Sequence, residues 1–264
     1  MFRAISRTAM KQDNWQPANT IEVDLWYSDW DAQLDREGMQ IRRWMRDRNV
    51  TSVLDASCGP GTYAVALAQQ GFQVTAADGR SRLLEQARVN AHQYNLARKI
   101  KFVEAGFLEL LQKIGGEGQF DAVLTKGNAV PRLISDEDIA ATLANFHQLL
   151  RPGGTVMIGM QDFEPFVEDR PRFIPIGVED DDEEAPQQVK FQVWDWEDGP
   201  PLMVKINHFL VTGRGMDYLT YKREEHCRAI TAVEMQVGLL EAGFENIEII
   251  RDRLEVVMIA TKPQ

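Results

Sequence analysis

Val53-Leu54-Asp55-Ala56-Ser57-Cys58-Gly59-Pro60-Gly61-Thr62 decides how this chain folds. An apolar run from 50 to 56 reads as a buried strand. It enters a glycine turn, and 62–70 then has helical composition with Gly71 as its stop. Downstream the same unit recurs. A second strand at 72–77 ends in Asp78, and a helix at 81–95 has Ser81 placed as its N-cap. Strands follow at 100–104 and 120–125, then a helix at 136–150. The turn Arg151-Pro152-Gly153-Gly154 leads into a strand at 155–160. Upstream, 33–48 sets Leu34, Met39, Ile41, Trp44 and Met45 on one helical face. Strands alternating with helices at this spacing predict βαβ units with helices on both faces of a parallel sheet.

The alternation breaks after Met160. Pro165, Pro171, Pro175, Pro186, Pro200 and Pro201 punctuate the next forty residues, and 179–184 is an acidic run that reads as a solvated loop. Alternating stretches at 189–196, 203–212 and 216–224 predict antiparallel strands. A helix at 232–242 and strands at 243–251 and 254–261 close the chain. The expected fold class is α/β, a doubly wound, mostly parallel seven-stranded sheet with a β-rich insertion forming a lid. Its expected parts are an N-terminal arm and helical cap at 1–48, a core at 49–162, the insertion at 163–228, and a closing helix and strand pair at 229–264.

Composition narrows the function. The 264 residues are 44% hydrophobic and 26% charged, the balance of a globular protein. Lys and Arg number 29 against 40 Asp and Glu, a net charge of −11. That argues against a broad nucleic-acid footprint, which needs a basic face. Two cysteines exclude a disulfide scaffold and any four-cysteine zinc site, and no His, Asp or Glu cluster has metal spacing. The apolar stretches, such as 256–260, are too short to span a bilayer, and no signal-peptide core is present. The expectation is a cytoplasmic protein that acts without metal, nucleic acid or membrane. A homo-oligomer stays open.

The glycine turn suggests a ligand. Gly59 and Gly61 let backbone come close to it, and the helix start offers free N–H groups. Asp78 ends the second strand, where a carboxylate can accept both hydroxyls of a ribose. Dinucleotide enzymes share this geometry. The turn has Tyr63 and Ala64 where a pyrophosphate site would want a third glycine, Asp55 can meet a cationic ligand group, and the sheet closes with a terminal strand pair. These details favour S-adenosylmethionine over NAD.

At these residues the chain resembles class I S-adenosylmethionine-dependent methyltransferases. The resemblance rests on residues 53–62, Val-Thr-Ala-Ala-Asp at 74–78, Phe-Asp-Ala-Val-Leu at 120–124 and Leu-Arg-Pro-Gly-Gly at 150–154. Within that group it looks most like the glycine and sarcosine N-methyltransferases. Lys126-Gly127-Asn128 stands where they have a Gly-Asn loop, and Tyr221 and His226-Cys227 echo their C-terminal pattern. The resemblance implies S-adenosylmethionine as cofactor, S-adenosylhomocysteine as product and a small-molecule acceptor. It implies that Ser57, Gly59 and Gly61 form the cofactor turn beside Asp55 and Ala56. Asp78 would take the ribose, with Gly79, Arg80 and Leu83 lining the adenosine. Ala105, Gly106 and Phe107 would border the base, and Lys126 and Gly127 the far side. Arg36 would pair with the methionyl carboxylate, and Trp26 and Tyr27 would cover the cofactor.

Asn128, His226 and Tyr221 are the catalytic candidates, and Asn128, Gln161, Arg172 and Tyr218 the acceptor-binding ones. His226 begins a stretch that re-enters the core, so readings inside and outside the site both stand. His208 reads as a sheet-face histidine or a site residue. Two departures from the relatives stand out. Ala105-Gly106-Phe107 lacks the side chain that would bind the adenine amino group. Gln161 replaces an arginine that would grip a glycine carboxylate, and glutamine forms no bidentate charged pair. Free glycine is then a poor acceptor, unless Arg170 or Arg172 reaches in. The leading reading is a small-molecule N-methyltransferase. The alternatives are an O-methyltransferase and a non-catalytic S-adenosylmethionine-binding protein.

Overall fold

The computed structural model describes residues 30–45, 48–181 and 186–264. The expectations for the N-terminal arm, Trp26 and Tyr27 included, lie outside the described residues.

Four βα units and a fifth strand build the core in chain order. They are β1 (Ser52–Asp55), α2 (Thr62–Gln69), β2 (Gln73–Asp78), α3 (Ser81–Gln93), β3 (Ile100–Glu104), α4 (Leu110–Ile114), β4 (Phe120–Thr125), α5 (Asp136–Leu149) and β5 (Leu150–Gln161). Helix α1 (Trp30–Met45) precedes them, while α6 (Ala232–Glu241), β10 (Glu245–Asp252) and β11 (Glu255–Thr261) close the chain. The seven strands run in the order β10-β11-β5-β4-β1-β2-β3. Strands β1 to β5 are parallel, and β11 lies antiparallel between β5 and β10.

Successive side chains of each central strand point to opposite faces. Leu54, Val123, Ile158 and Met258 pack under α5 and α6. Val53, Leu124, Met157 and Val257 pack under α1, α2 and α3. Both faces are covered, so these strands are continuous apolar runs, which is why they are readable in sequence. Each such side chain, fully buried, stabilises the fold by roughly 1.5–3 kcal/mol. Helix α1 turns Gln33, Leu34, Glu37, Gly38, Ile41, Trp44 and Met45 inward.

Between β5 and α6 sits a separate antiparallel sheet, β6 (Phe173–Glu179), β7 (Gln187–Glu197), β8 (Met203–Arg214) and β9 (Asp217–Arg228), in chain order. Strand β5 starts at Leu150 and takes in the expected turn at 151–154, and three features of the second sheet also differ from expectation. Strand β6 occupies a stretch whose prolines suggested loop. It is an edge strand with a register shift between Pro175 and Gly177, a place that tolerates proline. The acidic run begins inside β6, where Glu179 pairs with Lys190 at 2.8 Å. Strand β9 continues to Arg228 instead of stopping at 224, and that extension sets which of its side chains face the core.

Candidate functional site

The order of strands reverses direction at β1, and the crevice of an open α/β sheet lies outside the carboxyl ends of its strands at such a point. The tips of β1 and β4 are tied there by Ser57 Oγ and Thr125 Oγ1 at 2.8 Å. Helices α5 and α6 are capped by Ser135 and Thr231. Helix α2 starts at Gly61 with no side-chain cap; the Ala64 amide turns to Asp55, and those of Thr62 and Tyr63 are left for another acceptor. Gly61 has φ +95°, and a Cβ there would lie 3.0 Å from that of Ala87. The glycine is required both by its conformation and by close helix packing.

Asp78 is buried at the end of β2. It accepts the Gly59 amide at 2.9 Å and the Arg80 amide at 2.9 Å. The Arg80 guanidinium covers it, with Nε 3.0 Å and Nη2 3.2 Å from its two oxygens. Gly79 packs against Gly106, where an added Cβ would stand 3.2 Å from Cα. Those two glycines, with buried Ala105, let the ends of β2 and β3 close up. Phe107 turns its ring edge-on to Phe146 of α5 at 5.6 Å and so belongs to the core.

Asp55 and its neighbour Ala56 are fully buried. Asp55 Oδ1 takes the Ser57 amide at 3.4 Å, and Oδ2 has no hydrogen-bond partner. Burial, with Asp78 nearby, lifts its carboxyl to about 7. A carboxyl raised in the folded state holds its proton while the unfolded chain has lost it. Stability therefore falls as pH rises from about 4 through 7, by roughly 4 kcal/mol in all. Asp55→Asn is expected to be more stable than wild type at pH 8 and equal to it near pH 4. Urea unfolding at several pH values checks this, and parallel pH profiles would refute it.

A cavity of about 610 Å³ opens beside this turn. Ser57, Gly59, Tyr63, Arg80, Leu83, Lys126, Gly127 and Arg132 are among its walls, with residues 223–226 of β9 facing them. A second cavity, about 810 Å³, adjoins it under the inner face of the β6–β9 sheet. Gly127, Arg223 and Glu225 line both. The neck between them is Gly127-Asn128, whose φ values of 70° and 62° are both left-handed.

Asn128 is fixed at that neck. Its Oδ1 accepts the Gln161 amide at 3.1 Å, and its Nδ2 donates to Glu225 Oε1 at 2.6 Å. A polar chain continues behind it. Trp194 Nε1 donates to Gln192 Oε1 at 2.7 Å, so Gln192 Nε2 faces His208 Nδ1 at 3.2 Å. That leaves the imidazole proton on Nε2, 3.5 Å from Glu225 Oε2. Burial holds His208 below its ordinary value, so it is neutral at pH 7 and gains its charge only in acid. Burial alone would raise Glu225. The His208 contact, the Arg132 charge, the charge that His208 itself takes on in acid and the Arg223 charge outweigh it and hold the carboxyl at about 2.

A buried cation completes the neck. Lys126, 1% exposed, pairs with Glu37 of α1 at 3.1 Å and with Glu255 of β11 at 3.2 Å. Its ammonium also lies 5.2 Å from the ring centroids of both Trp44 and Tyr63. Gly159 makes room for it, since a Cβ there would stand 2.8 Å from Lys126 Cγ.

Several expected site residues lie elsewhere. Arg36 is exposed and absent from both cavity walls, because the inward stripe of α1 passes through Glu37, one residue and about 100° away. Arg172 is 74% exposed and pairs with Asp195 at 2.6 Å, and Arg170 pairs with Asp198. Neither reaches a cavity. Tyr218 is exposed at the far end of β9, bonded to Gln187. Tyr221 is outside both linings. His226 borders the first cavity but faces Glu197 at 3.2 Å on the exposed side of β9. Gln161 lines the second cavity with its Nε2 given to the Leu254 carbonyl at 2.7 Å. Glu225, Gln192, Arg132, Glu37 and Glu255 were not singled out as site residues, and His208 was left between a sheet-face and a site reading. Parity decides both His208 and Glu225: buried Val204, Ile206 and Leu210 put His208 on the inner face of β8, and buried Cys227 puts Glu225 on that of β9. Phe163, Phe166, Trp194 and Trp196 pack on one another at 5.2–6.4 Å.

Comparison with known proteins agrees with this geometry. Residues 53–154 match the family model described as a methyltransferase domain. A glycine/sarcosine N-methyltransferase of Halorhodospira halochloris is 30% identical over 144 residues, 54% of this chain and 52% of that protein. A glycine/sarcosine/dimethylglycine N-methyltransferase of Actinopolyspora halophila is 32% identical over 148 residues, 55% of this chain and 26% of that protein. The match thus spans about half or less of these relatives. Among solved structures, DesVI of Streptomyces venezuelae superposes with a TM-score of 0.72 at 16% identity, over 94% of this chain and all of the other. The S-adenosylmethionine-bound amino pentose methyltransferase CalS10 of Micromonospora echinaspora gives 0.71 at 17%, over 95% and 99%. Among the described residues no helix is long and apolar enough to cross a membrane, and no three His, Cys, Asp or Glu side chains group to hold a metal.

Proposed function

From a core that belongs to the class I S-adenosylmethionine-dependent methyltransferases, we propose that this protein methylates the nitrogen of a small polar amine. The observation that carries the reading is the pair of cavities meeting at Gly127-Asn128, one beside the glycine turn and one under the second sheet. The donor fits the first. The uncapped amides of α2 and the buried acid Asp78 suit a nucleoside, and Leu83 and Tyr63 offer apolar walls. S-adenosylmethionine, when bound, supplies a methyl already activated on a sulfonium sulfur. The protein's part is then to position the acceptor and exclude water. The β6–β9 sheet roofs the acceptor cavity, and Asn128, held by Gln161 and Glu225, offers a fixed polar contact at the neck.

The nitrogen preference rests on charge. Glu225, Asp252 and Glu255 line the acceptor cavity against Arg223 and Arg253, an excess of acid that suits a cationic amine. Gln161 has given its donor to Leu254, so nothing at that position grips a carboxylate, and Arg172 is turned away. A larger amine is therefore favoured over free glycine. Mass spectrometry of methyl transfer from labelled S-adenosylmethionine into amine, phenol and carboxylate panels tests this. Transfer confined to amines supports the reading. Transfer only to oxygen would replace it with an O-methyltransferase, and cofactor binding with no transfer anywhere would mark a binding protein. Efficient use of glycine would assign its carboxylate to Arg223, which lines the same cavity.

A further inference from the structure

Three carboxylates line the acceptor cavity: Glu225 from β9, Asp252 at the end of β10 and Glu255 at the start of β11; Glu225 and Glu255 are the two beside the neck. Their surroundings differ. Glu225 is 7% exposed, and both oxygens are engaged: Oε1 accepts from Asn128 and lies 3.4 Å from Arg132, while Oε2 faces His208. Glu255 sits at the start of β11. Its Oε2 is bound to Lys126 at 3.2 Å, and its Oε1 hangs over Gly159, within 2.7 Å of where a Cβ would be. The side chain is still 33% exposed and lines the cavity. Glu255 pairs in register with Gln161 of β5, whose amide bonds Asn128, so the carboxylate stands next to the neck.

Resting on the amine reading above, we propose that Glu255 takes the proton from the acceptor ammonium before methyl transfer. The ammonium N–H bond breaks, and its proton goes to a Glu255 oxygen. The freed lone pair forms the new N–C bond. The S–C bond of the sulfonium donor breaks with its electron pair left on sulfur, which departs as a neutral thioether. The product is an N-methylammonium, and Glu255 returns its proton to solvent.

The charges around Glu255 fit the task. Lys126, just after β4, faces it, with Glu37 of α1 on the other side of that ammonium. Asp252 and Arg253 lie at the β10–β11 turn, and Arg223 and Glu225 face it from β9. Burial raises the Glu255 carboxyl against the pull of Lys126, with Glu37 and Asp252 adding to the rise. Glu225 is held far below, so it stays an anion and is a poor proton acceptor. Two carboxylates driven apart in this way divide the roles of base and fixed charge.

The test compares wild type, Glu255→Gln and Glu255→Asp on the best amine found in the panel, across pH. Glu255→Gln can use only the fraction of amine already neutral. Its kcat/KM at pH 7 is expected to fall by about 100-fold or more. The deficit should shrink by about tenfold per pH unit as the free amine fraction rises, closing near the amine's own pKa. Glu255→Asp should keep part of the rate and the wild-type profile. Calorimetry should show S-adenosylmethionine binding unchanged in all three. A deficit constant across pH, or one explained by lost cofactor affinity, would mean that Glu255 serves only to hold Lys126, and would overturn the proposal. If wild type methylates no amine, the amine reading itself fails, and this proposal with it.

Discussion

Asp78→Ala is expected to weaken S-adenosylmethionine binding by about 10- to 100-fold, since losing hydrogen bonds to an ionised carboxylate costs about 1.5–3 kcal/mol. The residue does two jobs. Its backbone-facing side accepts the amides of Gly59 and Arg80, which shapes the glycine turn. Its outer side meets the Arg80 guanidinium at both oxygens. A ribose diol that takes those oxygens must exchange with that guanidinium. Arg80→Ala, which leaves the oxygens uncontested, is therefore expected to lose far less affinity. Calorimetry with both variants, alongside circular dichroism to confirm the fold, decides the matter. Unchanged affinity in folded Asp78→Ala would remove the ribose from this acid. Equal losses in the two variants would assign the contact to the Arg80–Asp78 pair as a unit.

The parallel core was legible because its signals are local. Val53-Leu54, Val123-Leu124 and Met157-Ile158 serve opposite faces of a sheet covered on both sides, so their strands appear as unbroken apolar runs between glycines and caps. The glycine turn and Asp78 were legible for a similar reason: each sits at the end of a strand already recognised. Single-residue geometry was not legible. Arg36 was placed at the cofactor, but the helix turns Glu37 inward instead, and the inward acid binds Lys126. His226 was placed near the chemistry, yet β9 runs on to Arg228 and its alternation delivers Glu225. Strand β6 was hidden by Pro175, which only an edge strand with a bulge accepts. The polar group at the neck joins Asn128, Gln192, His208 and Glu225 from four segments of chain. Its members meet because the second sheet lies on the core, and nothing in their spacing announces that packing.

The burial of Glu225 leads to the other large expected effect. A carboxyl held at about 2 in the folded protein, against an ordinary value of 4.5, stabilises the fold by about 3 kcal/mol above pH 5. That contribution is lost as pH falls from about 5 toward 2, because protonation then costs the folded state its ion while the unfolded chain has already taken up the proton. Buried ion pairs are not always net stabilising, since desolvation opposes them. Here the question is what remains once the acid is removed. His208 is neutral and loses only a hydrogen-bond partner. Arg132 and Arg223 keep their charge, and Asn128 Nδ2 loses the acceptor that fixes it at the neck. Glu225→Gln is therefore expected to lower Tm at pH 7 by roughly 6–12 °C, taking about 2–4 °C per kcal/mol at this chain length. The gap from wild type should narrow steadily below pH 5. Methyl transfer should fall at every pH without the recovery at high pH expected of Glu255→Gln, because Glu225 holds Asn128 and the bound cation and moves no proton. A thermal scan from pH 3 to 8 checks the first part. An unchanged Tm at pH 7 would mean that the arginines find solvent when the acid is gone and that the cluster contributes nothing to stability. A rate that recovered with rising pH in Glu225→Gln would exchange the roles assigned to the two carboxylates.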